Sequence, residues 1–564
     1  MNRKKILSIA LATLMLSTVL VGCGNNNKTT NGAKTDVSQK TKAVKDKIVY
    51  ALWSAPTGVF NPLLSDTQYD DAVLDLTYSS LLKFDKDLNL HCDLAESYTI
   101  SPDNMTITFK LKKAAKWHDG QNLTTKDIAF TFTSMADKGY TGSRYGDVEK
   151  IKGAKAYHEG KSKSIEGIQI VDDYTIKFQF EEVYSPGLVN IGGMGIIPKH
   201  IWEKAPIATW KEKKDLLNKP VGSGPYKLVT FEPGQSVQLE SFDGYYGNKA
   251  KTKKFIFKVS NQETAQAELA NGTVDIADIS TLKKKDIEGL KADKLDVVSY
   301  PNNKFQYMGF NLRQDKFKDV KVRQAFTYAI DRKLILDKLL EGNGKIVNTT
   351  IVPTSWAYPK ADLLNSYDFN LNKSKSLLKE AGWNDKDANG TLENAKNEEF
   401  KVVLKYPVGD KSREQCASII QKSLKDVGVK VELQSMEFPT LMDQVVGNHQ
   451  FDLYLMANVL GSDPDPKPYW HSTSASDKKG EFAWNISSFK NAKADDLIQK
   501  GLSTLDTKER KKTYEDFGIL MNKELPWVYL YSQNVVKAYN PKLKNFNPTT
   551  YVDFLNVEDW YIEQ

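Results

Sequence analysis

The strongest constraint on the fold is a block between residues 402 and 455 in which short apolar runs alternate with longer amphipathic segments. Ile419, Ile420 and Leu424 fall on one face of the segment 412–426, and Gly428 follows as a stop signal. The block therefore predicts strands at 402–404, 429–433 and 451–455, with helices at 412–426 and 439–446. Strands joined by a crossover helix run parallel, so the block predicts an α/β lobe with a mainly parallel sheet.

The segments nearer the N-terminus predict further sheets. Residues 105–111 and 174–180 alternate polar and apolar side chains, as half-buried strands do, and a helix opened by Thr124 is expected between them. A second strand–helix–strand pattern covers residues 255–277. Because the body at 47–564 is too long for one small core, we expect two α/β lobes, and ligands often bind in the cleft between such lobes.

The N-terminal segment predicts the compartment. A basic cluster at residues 3–5 precedes an apolar run at 6–21, and Gly22-Cys23 follows, which resembles a bacterial lipobox. The resemblance implies a signal peptide at 1–22, cleavage before Cys23 and a diacylglyceryl thioether on that cysteine. The polar segment 23–46 is expected to be a flexible tether, with the body held at the outer face of the bacterial cell membrane. An ordinary secretory signal and an uncleaved anchor are the alternatives.

Composition argues against several functional classes. The formal net charge of +7, from 78 basic and 71 acidic residues, is mild, and we expect no nucleic-acid partner. The six histidines are scattered, and the sequence lacks the motifs of zinc hydrolases, serine hydrolases and nucleotide-binding proteins, so we expect neither catalytic residues nor a cofactor. Cys92 and Cys416 are interpreted as two thiols rather than a disulfide.

One acidic loop leaves two interpretations open. Asp385, Asp387, Asn389 and Gly390 match the first half of an EF-hand calcium loop. Position twelve, where an EF-hand needs a bidentate glutamate, is Lys396, so a full EF-hand is not expected. The loop is either a weak calcium site or a plain Asp/Asn turn, and the sequence favours the turn.

Four motifs in order carry a resemblance to a known family. They are Trp117-His118-Asp119-Gly120 with residues 123–130, the turn at 220–227, Val322-Arg323-Gln324-Ala325 with residues 329–332, and Asp463-Pro464-Asp465-Pro466 ahead of residues 469–472. Together they resemble the extracytoplasmic solute-binding proteins of family 5, the oligopeptide-binding components of ABC importers. The resemblance extends over essentially the whole body.

This resemblance implies an α/β, two-lobed fold like that of periplasmic binding proteins, of the class II type with an extra N-terminal subdomain. Lobe I would comprise 47–303 and 530–564, with the subdomain inserted at about 60–190, and lobe II would comprise 304–529. The chain would cross between lobes near 301–305 and 525–531. The protein would then be a non-catalytic monomer that closes on an oligopeptide and delivers it to an ABC permease. The alternatives are the same fold with another solute, such as a nickel chelate, haem or an oligosaccharide, and a surface hydrolase.

We expect the ligand to contact a set of aromatic, amide and acidic side chains near the crossings and cleft loops, although each aromatic could equally belong to a core. The candidates are Trp53, Phe60, Asn61, Tyr307, Asn311, Asp463, Asp465, Tyr469, Trp470, Tyr529 and Tyr531. Family members usually hold the peptide α-amino group with an aspartate, but residues 457–461, the corresponding stretch, contain no acid. Asp463 or Asp465 would then bind the amine, or both would cap the turn.

Overall fold

The computed structural model describes residues 44–564, apart from the side chains of residues 44, 262 and 263. Cys23 and the predicted signal and tether, to residue 43, lie outside the described residues. The strands, in chain order, are β1 Val44–Lys45, β2 Lys47–Leu52, β3 Leu82–Phe84, β4 Leu90–Cys92, β5 Ala95–Ile100, β6 Thr106–Leu111, β7 Ile168–Asp172, β8 Thr175–Gln179, β9 Tyr226–Glu232, β10 Ser236–Ser241, β11 Lys254–Val259, β12 Ile276–Asp278, β13 Asp296–Tyr300, β14 Lys304–Phe310, β15 Gly344–Ile346, β16 Lys401–Pro407, β17 Lys430–Met436, β18 Leu453–Val459, β19 Trp527–Gln533, β20 Val535–Tyr539, β21 Leu543–Lys544 and β22 Tyr561–Glu563.

The α-helices are distributed among these strands along the chain. They are α1 Gln68–Thr77, α2 Thr125–Ala136, α3 Ala154–His158, α4 Gly187–Gly192, α5 Lys199–Trp202, α6 Lys214–Leu217, α7 Gln262–Ala270, α8 Lys284–Ala292, α9 Val320–Ala329, α10 Arg332–Leu334, α11 Leu371–Glu380, α12 Lys411–Lys425, α13 Phe438–Leu441, α14 Lys467–Trp470, α15 Ala492–Ser503 and α16 Thr507–Glu524. Within residues 44–564, no helix is both long and apolar enough to cross a membrane.

The first large sheet has seven strands in the order β13-β20-β12-β2-β11-β10-β9. β2 runs parallel to β11 and β12, and the strands outside these three pair antiparallel. β20, from near the C-terminus, lies between two strands that precede it by more than two hundred residues. The C-terminal segment is thereby fixed to this sheet.

The second large sheet has six strands in the order β15-β19-β14-β18-β16-β17. The predicted strand–helix block is confirmed, because β16 pairs parallel with both β17 and β18. Asp410 caps α12 by accepting a hydrogen bond from the Arg413 amide at 3.0 Å, and Gly428 (φ +86°) follows the helix. The prediction of a mainly parallel sheet is wrong, because β14, β15 and β19 come from distant parts of the chain and pair antiparallel.

The predicted N-terminal strands pair as a separate four-stranded sheet, ordered β5-β6-β8-β7. β6 and β8 are the strands expected at 105–111 and 174–180, and they lie antiparallel to each other. α2 begins at the expected capping box, in which the Thr124 side chain and the Asp127 carboxylate each accept a backbone hydrogen bond. Cys92, on β4, and Cys416, on α12, are free thiols.

The chain passes between the two large sheets at two places. The first lies at residues 301–303, between β13 and β14, and the second at Asn534, between β19 and β20. The second passage was expected at 525–531, but most of that stretch belongs to β19, which continues to Gln533 within the six-stranded sheet. The apolar run of β19 therefore belongs to a buried central strand and does not form the connection.

Candidate ligand cleft

A cavity of about 440 Å³ lies where the two passages meet. Its walls come from the end of β2, from α1, from the start of β14, from the turn between β19 and β20, and from residues 549–554. Both large sheets thus contribute to one cavity. This is the position at which hinge-linked lobes would enclose a solute.

Six carboxamide side chains lie on this wall, together with several hydroxyl groups: Gln68, Asn302, Asn303, Gln306, Gln533 and Asn534. Gln306 is 6% exposed, and its Oε1 accepts a hydrogen bond from Arg413 Nε at 3.2 Å. A carboxamide offers both a donor and an acceptor, as does each peptide unit of an extended chain. The wall is therefore suited to a ligand that presents peptide groups.

A second cavity of about 630 Å³ adjoins the first. It is lined by α1, by β3, by the end of α4 and by residues 551–558. Asp75, Tyr551 and Phe554 line both cavities, so the two share a wall. The combined space is large enough for more than a single amino acid.

Asp75 is the main negative group at this shared wall. Its side chain is open to the cavities, but protein surrounds these cavities and separates the carboxyl from bulk water. This desolvation raises the pKa of the carboxyl to about 7. The carboxylates of Asp71 and Asp553 add to the rise. A cationic group from a ligand would relieve both effects, because it stabilises the ionised form.

Lys304 is a positive group on the opposite, β14 side of the first cavity. Burial lowers the pKa of its ammonium, and the nearby Arg413 guanidinium lowers it further. Asp410 and Asp278 act in the other direction. The cleft thus carries charges of both signs on its two sides, which matches a zwitterionic ligand.

A paired network closes the floor of the first cavity. Lys537 is 2% exposed, and its Nζ donates to Tyr50 Oη at 2.7 Å and to Asp553 Oδ1 at 2.5 Å. Tyr300 Oη donates to the same Asp553 oxygen at 2.8 Å. Because these charges satisfy each other, they hold the C-terminal segment against the sheet rather than awaiting a ligand.

Of the ligand contacts predicted from the sequence, Trp53 and Tyr531 line the first cavity. Phe60, Asn61, Tyr307, Asn311, Trp470 and Tyr529 are at most 3% exposed. The Tyr307 ring stacks on Trp527 with centroids 3.6 Å apart, and Trp470 Nε1 donates to Thr350 Oγ1 at 2.8 Å. In this conformation these six side chains are buried and line neither cavity, and a ligand-contacting role for them stays a prediction.

The loop that contains the two candidate amine-binding aspartates is already internally paired. Asp463 accepts hydrogen bonds from Arg510 Nη1 at 2.6 Å and Nη2 at 2.8 Å, a bidentate pair in which both side chains are nearly buried. Asp465 Oδ1 accepts from the Lys467 amide at 2.8 Å, and burial raises the pKa of its carboxyl to about 6. Tyr469 is half-buried near Trp484. Asp463 thus stabilises the loop, whereas the use of Asp465 by a ligand stays a prediction.

Sequence reasoning missed Asp75 and the contribution of residues 549–558. A signal for the first was available, because Asp71 and Asp75 lie four residues apart on an otherwise amphipathic helix and so share a face. The second had no local signal, because residues 549–558 reach the cleft only through the pairing of β20 into the first sheet.

Two α/β lobes joined by two chain passages, with a cavity at the passages, define a two-lobed solute-binding protein. The chain belongs to family 5 of the bacterial extracellular solute-binding proteins, whose sequence model matches residues 89–481. This confirms the family expected from the four motifs, and it confirms the fold class.

Known relatives extend the match to nearly the full chain. The oligopeptide-binding protein AppA of Bacillus subtilis is 30% identical over 568 residues, covering 100% of both chains. The structure of AppA in complex with a nonapeptide superposes with a TM-score of 0.80, over 93% of this chain and 100% of AppA. NikZ from Campylobacter jejuni, in complex with Ni(L-His), is 26% identical and superposes with a TM-score of 0.78, over 92% of this chain and 99% of NikZ.

Proposed function

We propose that this protein is a lipid-anchored, extracytoplasmic receptor that captures oligopeptides in the cleft and delivers them to an ABC permease. The carboxamide-lined cavity at the two chain passages carries the peptide assignment, since it offers donors and acceptors to a peptide backbone without demanding a particular sequence. The full-length similarity to AppA supports the same assignment.

Charges at the cleft suggest how the ends of a peptide bind. Asp75 would hold a cationic group of the ligand, either the α-amino group or a basic side chain, and Lys304 would face a carboxylate. A desolvated ammonium needs a charged partner, and the side-chain carboxylate of Asp75 has no hydrogen-bond or ion-pair partner among the described residues. Asp463 is less suited, because its carboxylate already binds Arg510.

Native mass spectrometry of the protein as purified, followed by identification of any released molecule, tests the assignment. Peptides of mixed sequence are the expected result. A nickel chelate, haem or an oligosaccharide in their place would support the alternative in which the same fold carries another solute, as the NikZ complex illustrates for that protein. The proposal also holds that peptides leave unaltered, so incubation with a peptide pool should generate no new termini.

Two contacts join the N-terminal region to lobe II, and they would help to hold the cleft closed around a ligand. Lys467 Nζ pairs with Glu149 Oε1 at 2.7 Å, and the Ser185 amide donates to the Leu502 carbonyl at 2.8 Å. Both contacts join parts of the chain that lie more than three hundred residues apart.

Lys467→Met should therefore speed peptide release. A partly exposed ion pair contributes up to about 1 kcal/mol, so we expect the dissociation rate to rise up to about fivefold while the association rate changes little. Lys478→Met is the matched control, because the Lys478–Glu481 pair lies within one exposed loop. Stopped-flow fluorescence measures both rates, and an unchanged dissociation rate in Lys467→Met would remove this contact from the closure mechanism.

The anchor is tested by Cys23→Ala. The lipobox-like run implies two acyl chains on Cys23, and each buried methylene contributes ~0.8 kcal/mol to membrane attachment. The variant should accumulate as a larger precursor that takes up no labelled fatty acid and is released from the membrane fraction. Normal processing and labelling of Cys23→Ala would contradict the anchor.

A further inference from the structure

The acidic loop between α11 and β16 gains a third carboxylate in the folded chain. One carboxylate oxygen from each of Asp385, Asp387 and Glu393 lies within 4.8 Å of the others. Asp385 and Asp387 are exposed, whereas Glu393 is only 5% exposed. Three acids this close repel one another unless a cation or protons intervene.

Glu393 supplies a second, independent observation. Its Oε2 accepts a hydrogen bond from the Lys386 amide at 2.8 Å, but its buried Oε1 has no hydrogen-bond partner anywhere in residues 44–564. A buried carboxylate oxygen without a partner is destabilising, and such atoms are rare in folded proteins. A cation held by the three acids would give this oxygen a partner.

The basic side chain within the loop, Lys386, forms no ion pair with this group. Lys386 Nζ donates to the Asn394 carbonyl at 2.6 Å and to Asn397 Oδ1 at 2.8 Å, so the ammonium already has partners other than the three acids. The backbones of Asn384 and Glu393 bond to each other at 3.0 and 2.8 Å and hold the ends of the loop together. The aspartates accept hydrogen bonds from Asn389 and Gly390 within the loop, but no ion pair within residues 44–564 balances the three negative charges.

The order of the acids favours the calcium interpretation of the loop over that of a plain turn. Asp385, Asp387 and Asn389 occupy positions one, three and five of an EF-hand-like loop, and Glu393 occupies position nine. Lys396 fills position twelve, and its amide donates to Asn394 Oδ1 at 2.9 Å in a separate turn. Glu393 therefore supplies a carboxylate from within the loop, in place of the residue that the sequence lacks at its end.

We propose that this loop binds a calcium ion through the carboxylates of Asp385, Asp387 and Glu393. An all-oxygen group of flexible geometry suits calcium better than magnesium, which requires a near-ideal octahedron. Calcium loops of extracellular modules bind with dissociation constants on the order of 10⁻⁴–10⁻³ M, and we expect this range. Because Trp383 stacks on Phe400 at 4.0 Å on either side of the loop, the ion would fasten α11 to β16 rather than touch the cleft.

Thermal unfolding of the full mature chain tests the site. Calcium at about 10 mM should raise the Tm above its value in chelator by about 1–2 °C, by mass action on the folded state. Equilibrium dialysis with calcium alone should find one ion per chain, with weaker binding of magnesium. Glu393→Gln and the exposed Asp387→Asn should each lose both the shift and the ion, whereas Glu398→Gln, an exposed acid outside the group, should keep both.

An equal Tm in calcium and chelator, with no ion retained in dialysis, would overturn the site. Retention of calcium by Asp387→Asn and Glu393→Gln would also overturn it, by moving the ion elsewhere. Asp387→Asn covers the case in which Glu393→Gln fails to fold, because Asp387 is at the surface. Neither outcome bears on peptide binding, so the site and the proposed function fail separately.

Discussion

Replacing Arg510 by methionine is expected to lower the free energy of unfolding by about 3–5 kcal/mol. Arg510 is 7% exposed and binds Asp463 through two hydrogen bonds, and its Nε donates to the Gly501 carbonyl at 2.9 Å. Its removal leaves the Asp463 carboxylate nearly buried and uncompensated. That penalty exceeds the net contribution of the pair itself, because burial had already desolvated both charges.

Chemical denaturation followed by tryptophan fluorescence measures this loss. The double variant Arg510→Met/Asp463→Leu should recover most of it, because replacing both partners removes the unpaired charge. Lys512→Met, at an exposed position on the same helix, should change stability by less than about 0.5 kcal/mol. If Arg510→Met cost less than about 1 kcal/mol, Asp463 would be free for a ligand, as one of the hypotheses from the sequence requires.

Asp75→Asn is expected to weaken binding of a peptide with a free α-amino group by roughly 2–5 kcal/mol at neutral pH. The reason is that Asp75 lines both cavities and would be the counter-charge of the ligand ammonium. Calorimetry with one peptide, free or N-acetylated, measures the effect. Acetylation should weaken binding to the wild type strongly and to Asp75→Asn hardly at all.

Asp465→Asn distinguishes this assignment from the one predicted from the sequence. If acetylation still weakens binding to Asp75→Asn but no longer affects Asp465→Asn, the amine lies at Asp465. Equal binding of both peptides to the wild type would remove ammonium pairing altogether and leave peptide binding by the carboxamide wall intact.

Because the pKa of the Asp75 carboxyl is raised, peptide affinity should depend on pH. With a carboxyl pKa of about 7 in the empty cleft, ionisation increases as the pH rises, so affinity for a cationic ligand should increase between about pH 5.5 and 7.5. The ligand α-amino group stays protonated over most of this range. Asp75→Asn should flatten the profile, and a wild-type profile as flat as that of the variant would contradict the role of Asp75.

The sequence predicted those parts of the fold that depend on residues close together in the chain. Gly428 follows α12 both in the prediction from the sequence and in the structure, because a left-handed stop depends on neighbouring residues. The mixed pairing of the second sheet was not predictable, since β14 and β19 meet across more than two hundred residues. Pattern specifies which face of a strand is buried but not which strand lies beside it.

The same distinction limits the prediction of site residues. Tyr307 and Met308 are neighbours on β14 yet lie in different clusters, on opposite faces of the sheet, so proximity to a passage does not imply contact with the cleft. The acidic loop at 385–393 shows the converse. Asp385 and Asp387 were found from their spacing, whereas Glu393 became a candidate only once its unpaired, buried oxygen was located.

Hydrogen exchange of the full mature chain, with and without a bound nonapeptide, tests the central claim most directly, because it locates the ligand. If peptides bind in the cavity between the sheets, amides at 300–306, 531–537 and 549–554 should gain protection on binding. Amides in the loop at 385–393 should be unaffected. Binding without protection at the two chain passages, or no measurable binding of any peptide, would contradict the account.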